Sequence, residues 1–494
     1  MARITLRSRP RAADRPSGAV ASESVEGNRA HVAVIGGGIS GLAAAWHLRQ
    51  SAGERVKVTV VEGAPRIGGK LYATEVAGVS LDAGAEAMLA RRPEGKDLAG
   101  AVGLGDDLMT PGAASSAIYT RGTLRSLPKG QVMGVPSDLA ELARSGILSA
   151  GGLLRVPLDQ IMPATLVRTD VSVAAYIRAR MGGEVLDRLV EPLLGGVYAG
   201  RSDMLSLEAT MPRVAAAARA ERSLLAAARH IVAETPKDAG PVFTTLRNGM
   251  GSLPEAVAKA SGADVRTGVT VRELHRTPHG WRLVAGPVPR PETIEADAVI
   301  VAVPAPAAAR MLKAEVPGAA AELARVEYAS MAVVTLAYPA GAFPERPARS
   351  GYLVPPVEGR AVKAVTFSSV KWPHLSRDLV LVRCSIGRIG EEHLLQRDDA
   401  ELVSVAMAEM SEVMGARGLP LDTRVTRWGG ALPQYNVGHI DRVARVHAAV
   451  AGQPALAVCG AAYDGLGIPA CLATARTAAS RILDHLSRRG ESTS

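Results

Sequence analysis

One turn constrains this chain more than any other feature. Residues 31–35, HVAVI, form a short apolar, β-branched run that reads as a buried strand. Gly36, Gly37, Gly38, Ile39, Ser40 and Gly41 follow as a glycine turn, and residues 42–50, LAAAWHLRQ, are strong helix formers. Residues 56–62, VKVTVVE, read as a second strand that ends on Glu62. Strand, helix and strand in this order make a βαβ unit with parallel strands.

Each glycine has a physical task. Gly36 allows the tight turn, Gly38 lets backbone approach a pyrophosphate, and Gly41 lets helix and strand pack closely. The helix N-terminus offers free N–H groups and a positive dipole end to phosphates. Glu62 stands 21 positions after Gly41, where an acid accepts a hydrogen bond from a ribose hydroxyl and disfavours a 2′-phosphate. The expectation is a dinucleotide site.

Residues 63–70, GAPRIGGK, extend it. Glu62, Gly63, Arg66, Gly69 and Lys70 belong to an E-x-x-x-R-x-G-G pattern that resembles the fingerprint of FAD-dependent amine oxidases, desaturases and porphyrinogen oxidases. The sequence shows no second strand–GxGxxG–helix unit, so a separate NAD(P) site is not expected. FAD is the expected cofactor. Distant segments are expected to close over it: Val269 against the adenine, Trp428 at the flavin edge, and Gly460 with Leu466, Gly467 and Ile468 as a second helix N-terminus.

Composition excludes other classes. Cys384, Cys459 and Cys471 are the only cysteines, with no C-x-x-C, so a disulfide framework and a zinc ribbon are not expected, and no metal is. The net charge is +9, with nine Lys among 57 basic residues, but aromatic residues are 3% and no internal basic run is dense. Nucleic acid is not an expected partner. No apolar run reaches the ~18 residues of a membrane span. Residues 139–165 read as an amphipathic surface helix pair with an interrupted apolar face, so weak or no membrane association and a cytoplasmic location are expected. Residues 1–29 read as a disordered tail. Residues 136–235 read as mostly helical, including 212–234, and 330–390 as short strands.

Further motifs occur in order: LPKGQVMGVP (127–136), EPLLGGVYAG (191–200), KWPH (371–374), TRW (426–428), LPQYNVGH (432–439) and YDGLGIPAC (463–471). With the glycine motifs they resemble the protoporphyrinogen/coproporphyrinogen oxidase family, most closely its Gram-positive, actinobacterial coproporphyrinogen III branch. The resemblance spans about residues 30–485. It implies an α/β (α+β) two-domain flavoprotein of the p-hydroxybenzoate-hydroxylase/amine-oxidase type. Its Rossmann-like FAD domain would comprise 30–95, 241–303 and 425–486, its helical lobe 96–240, and its β-rich substrate domain 304–424. It also implies oxidation of coproporphyrinogen III to coproporphyrin III in heme biosynthesis, with dioxygen as acceptor, hydrogen peroxide as by-product, and transient contact with a ferrochelatase. Alternatives are a protoporphyrinogen IX oxidase, an FAD amine oxidase or desaturase, and a non-catalytic flavin-binding scaffold of the heme pathway.

The chain departs from some relatives after the glycine motifs. It carries Asp82-Ala83-Gly84-Ala85-Glu86 where they have an Arg-Gly-Pro-Asp-Ser type of stretch. Flavin contact is carried over by position to Gly84, Ala85 and Glu86. No Arg near Ser115–Tyr119 matches one that holds a propionate in some protoporphyrinogen oxidases. Lys70 is the candidate catalytic cation, paired with a propionate or with reduced flavin. Tyr435 and His439 are candidate cavity residues, and Arg91, Arg92, Lys129 and Lys371 candidate propionate ligands.

Overall fold

The computed structural model describes residues 29–113, 115–165, 169–236 and 240–491. The expected tail, residues 1–29, lies outside them except for Arg29. Five parallel strands form the first sheet, in the order Asp264–Arg266, Val56–Val61, Ala30–Ile35, Ala298–Val301, Leu456–Val458. Three of them are valine-rich and buried almost throughout, as a parallel sheet covered on both faces requires. The Ile39–Ala52 helix and the Ile468–Glu491 helix pack on each other, and the Ser252–Ser261 helix packs on the first of these. Nine of fourteen residues of Ile39–Ala52 are buried, so it is a core helix rather than an amphipathic one.

The second sheet has seven strands, in the order Asp422–Pro433, Tyr328–Pro339, Leu379–Ile386, Val362–Phe367, Gly351–Leu353, Ser116–Thr120, Thr123–Ser126. All neighbours are antiparallel except Gly351–Leu353 beside Ser116–Thr120. Ala332, Val334, Leu336 and Tyr338 share a core with Leu402, Ala406 and Met410 of the Asp399–Met414 helix. By strand alternation the other face carries Met331, Thr335, Arg383 and Trp428.

A third body is helical, from Leu139 to Ala233, with its own core. Arg180 and Asp159 meet at its centre, and neither side chain reaches solvent. Arg180 also donates to the carbonyls of Asp159 and Arg222, and Asp159 accepts from the Ser223 hydroxyl and the Leu225 N–H. The stretch 212–234 is two helices, Pro212–Ala220 and Leu224–Ala233; Ser223 caps the second by accepting from the Ala226 N–H.

The sheets cut across the sequence-based segments in three places. Ser116–Ser126, expected in the helical lobe, pairs into the seven-stranded sheet, and so do residues 425–433 of the Asp422–Pro433 strand, expected with the dinucleotide fold. The Ala305–Leu312 and Pro317–Leu323 helices, expected in the substrate domain, share the core of the five-stranded sheet. Long-range strand pairing and the docking of apolar helix faces set these memberships, and neither is a local property.

Candidate active site

The Gly36–Gly41 turn follows the first strand as expected. Gly36 has φ +110°, a conformation that favours glycine. A Cβ on Gly41 would stand 1.9 Å from the Gly36 carbonyl oxygen, whereas a Cβ on Gly38 would meet nothing within 4 Å. Gly41 is therefore a packing glycine and Gly38 an open one. The Ile39–Ala52 helix has no side-chain cap and no acid in its first turn, so Ile39 and Ser40 present uncapped N–H groups there.

The Arg66–Lys70 turn rests against this one. Gly68 donates its N–H to the Gly37 carbonyl at 2.8 Å, and a Cβ on Gly69 would lie 3.3 Å from the Gly38 Cα. Arg66 folds back over its own turn, donating to the Ile67 and Gly69 carbonyls while stacking on Tyr72. The Glu62 carboxylate accepts from the Gly37 N–H at 2.6 Å and the Ala64 N–H at 2.7 Å. A carboxylate has about four lone-pair sites, so it retains acceptor capacity. Val269 lies in a loop, not a strand, and donates its N–H to the Glu62 carbonyl at 2.9 Å. Thr270 abuts Gly63. One end of the groove thus gathers Glu62, Gly63 and Val269.

The other end gathers Lys70, Gly84, Ala85 and Trp428. Ala85 donates its N–H to the Lys70 carbonyl at 3.1 Å. A Cβ on Gly84 would stand 2.0 Å from that same carbonyl oxygen and 3.1 Å from the Trp428 ring. Trp428 Nε1 donates to the Ala83 carbonyl at 3.0 Å. Burial pulls the Lys70 ammonium below the ordinary lysine pKa, with the Cys471 thiol as the neighbour opposing that shift. The ammonium makes no hydrogen bond or ion pair with a described residue. Gly460 has φ +126° and lies against Ser40, so the Ile468–Glu491 helix brings its N-terminal turn, with Leu466 and Gly467, toward the start of the first helix. That turn also has no acid.

Three expectations change. The Glu86 side chain is an ion-pair centre, held by Lys371 and by Arg383 from the seven-stranded sheet. Burial alone would raise its carboxyl, but the two cations outweigh it and hold the pKa at about 2. Lys371 is thereby bound to Glu86 and is not a free cation for a substrate. Tyr435 and His439 are each 2% exposed and packed against protein. Their rings stack at 3.9 Å; Tyr435 donates its hydroxyl to the Ala461 carbonyl at 2.6 Å, and His439 Nε2 lies 2.9 Å from the Tyr463 carbonyl oxygen. They brace the turn that begins at Gly460. Arg91, Arg92 and Lys129 are exposed, and Arg92 pairs with Glu94.

Arg383 is the residue that sequence reading missed. It joins the Gly84 carbonyl to the seven-stranded sheet at 2.7 Å from a position 299 residues downstream. Its strand, LVLVRCSIG, carries no local motif that marks it.

These residues fit a dinucleotide cofactor on two observations: the open Gly38, where any side chain would enter the groove, and an uncapped helix N-terminus beside it. The family model of flavin-containing amine oxidoreductases matches residues 39–483. The chain belongs to that family. Its members are FAD-dependent oxidoreductases, and so is this family member. It is 39% identical over 460 residues to the coproporphyrinogen III oxidase of Mycobacterium tuberculosis, covering 92% of this chain and 97% of the relative. It is 33% identical over 468 residues to the coproporphyrinogen III oxidase of Bacillus subtilis, covering 92% and 98%. A crystal structure from Exiguobacterium, provisionally described as a protoporphyrinogen oxidase, superposes with a TM-score of 0.81 at 29% identity, over 92% of this chain and 98% of that one. These relatives place this oxidoreductase in the porphyrinogen-oxidase branch. No helix among its described residues is long and apolar enough to cross a membrane.

Proposed function

We propose that the protein oxidises coproporphyrinogen III to coproporphyrin III with FAD, using dioxygen as the final acceptor and releasing hydrogen peroxide. The likeness to proteins of that name over nearly their whole length supports this reading. The observation that carries it to this chain's own residues is Lys70: an unpartnered, largely desolvated ammonium near Cys471, on the residue whose carbonyl meets the Gly84–Ala85 loop. An anionic, propionate-bearing ring is the kind of substrate such a cation attracts, in surroundings where a charge pair gains more than in water.

What the flavin supplies when bound is two-electron acceptance as a hydride. The protein's part is binding and orientation. The N–H groups around Gly38 and Ile39 hold the pyrophosphate, Glu62 the ribose, and Val269 the adenine side. Gly84, Ala85 and the Leu466–Ile468 turn hold the flavin end, with Trp428 behind Gly84. Lys70 orients a propionate or offsets negative charge on the reduced cofactor. Further parts of the proposal are work in the cytoplasm and transient handover of product to a ferrochelatase.

The test is a side-by-side assay of the FAD-loaded enzyme, in air and without detergent, on coproporphyrinogen III and protoporphyrinogen IX, read by porphyrin fluorescence and peroxide release. Preference for coproporphyrinogen with one peroxide per two electrons is the expected result. Preference for protoporphyrinogen, or turnover only with lipid, overturns the substrate assignment. Turnover without peroxide overturns the acceptor.

A further inference from the structure

Behind the Gly84 loop, away from the dinucleotide groove, lies a small cavity of about 20 Å³. Asp82 and Glu86 border it from the loop, Arg383 from the seven-stranded sheet, and Ser368, Trp372 and His374 from the segment after Val362–Phe367. Four buried polar atoms on its walls have no hydrogen-bond partner among the described residues: Ser368 Oγ, Trp372 Nε1, His374 Nδ1 and Arg383 Nε. Ser368, Trp372 and Arg383 are 2%, 3% and 8% exposed. Buried polar atoms are rarely left unpaired, so four around one small space call for a shared partner.

The chemistry of the walls selects that partner. Trp372 Nε1 and Arg383 Nε only donate, Asp82 and Glu86 accept when ionised, and Ser368 and His374 do either. A halide would satisfy the donors but face two carboxylates. One water accepts twice and donates twice, and the volume is that of about one or two water-sized probes. We propose that this cavity is a built site for an internal water, which completes the hydrogen bonding of Arg383 and makes it the positioning residue that fixes the Gly84 loop to the sheet. Arg383 already spends its other nitrogens on the Gly84 carbonyl and on Glu86. With Nε occupied as well, all three nitrogens are engaged and the guanidinium is held in plane between loop and strand.

His374 also borders a second, larger basin of about 580 Å³ together with Arg346, Ser369, Ser376 and Arg377, so it stands between the two. Asp82 faces the N–H groups of Met250 and Gly251 at the start of the Ser252–Ser261 helix, Arg383 from the sheet, and Glu86 from its own loop. His374, with Arg247 near it, closes the remaining side. Burial raises the Asp82 carboxyl to about 6 against these hydrogen bonds and Arg383. A water donating to the carboxylate favours its charged form, so removing the water moves the titration upward.

The experiment uses the FAD-loaded enzyme. A crystal structure that shows ordered solvent is expected to place one peak within hydrogen-bond distance of Arg383 Nε, Trp372 Nε1 and an Asp82 oxygen, with no anomalous signal there after a bromide soak. The protonated-carboxyl infrared band that disappears in Asp82→Asn reports the titration of Asp82. Its midpoint is expected to shift to higher pH in Trp372→Phe and in Ser368→Ala, both with normal flavin content and cooperative unfolding. A dry cavity, a bromide peak, or an unmoved midpoint in two correctly folded variants overturns the proposal.

Discussion

Tyr435 donates its hydroxyl to the Ala461 carbonyl at 2.6 Å, joining the helical body to the turn that carries Gly460. Tyr435 belongs to the helical core, and Cys459 and Ala462, on either side of that bond, belong to the core of the five-stranded sheet. Tyr435→Phe leaves the part-buried Ala461 carbonyl without its donor and is expected to cost about 1 kcal/mol. FAD-loaded Tm falls and FAD Kd rises. A variant with unchanged Tm and a raised KM for porphyrinogen would return Tyr435 to the substrate cavity.

Two alanines in the glycine turn separate packing from binding. Gly41→Ala drives a Cβ into the Gly36 carbonyl, so helix and strand must part, and both apo stability and FAD content fall. Gly38→Ala meets no protein atom within 4 Å. It is expected to keep the apo Tm and lose FAD affinity by tenfold or more, about 1.4 kcal/mol. Thermal unfolding with and without FAD, beside flavin titration, checks both.

The Glu86 carboxyl has its pKa depressed to about 2 despite burial, because Lys371 and Arg383 face it. A depressed acid contributes stability that is present above its unfolded pKa near 4.5 and is lost as pH falls toward 2. At ~1.4 kcal/mol per unit the contribution is about 3 kcal/mol. Glu86→Gln is expected to be less stable than the parent by roughly that amount at neutral pH, with the gap closing below pH 4.5. Urea unfolding across pH 3–7 measures it.

Asp159 and Arg180 form a pair from which water is excluded. Arg180→Met leaves the Asp159 carboxylate buried without its cation, at a cost of about 3–5 kcal/mol. Hydrogen exchange is expected to accelerate first in the helices from Val173 to Ala233, with the five-stranded sheet still protected.

Lys70→Met removes a cation at the flavin end that no carboxylate of the described residues engages. The expected outcome is retained flavin, a lower flavin midpoint potential and a fall in kcat/KM of about tenfold or more, an effect of ~1.4 kcal/mol or above on the barrier. Unchanged kcat/KM with unchanged potential removes Lys70 from the chemistry.

The dinucleotide end was legible because its signals are local. Gly36, Gly38 and Gly41 act within six residues, Glu62 ends the next strand, and backbone geometry leaves few other residue types that work there. Val269 was expected against the adenine; it lies in a loop and donates its N–H to the Glu62 carbonyl. The Arg383–Glu86–Lys371 cluster was not legible, because it is made by strand register between segments 285 to 299 residues apart. Tyr435 and His439 were visible as a motif, but a motif does not say whether an aromatic faces a cavity or a core. Stacking and two carbonyl contacts decide that here.

The Ile39–Ala52 helix is made early on the ribosome, yet its main helical partner begins at Ile468, and the last strand of the first sheet is Leu456–Val458. At ~5–20 residues per second, roughly 20–85 s separate the two ends of this contact during synthesis. Over that interval the Ser252–Ser261 helix can dock on it, but the face that meets Ile468–Glu491 stays uncovered. The flavin end of the groove is finished only with the turn from Gly460 to Ile468. The flavin site is therefore completed by the last-synthesised of the segments that form it.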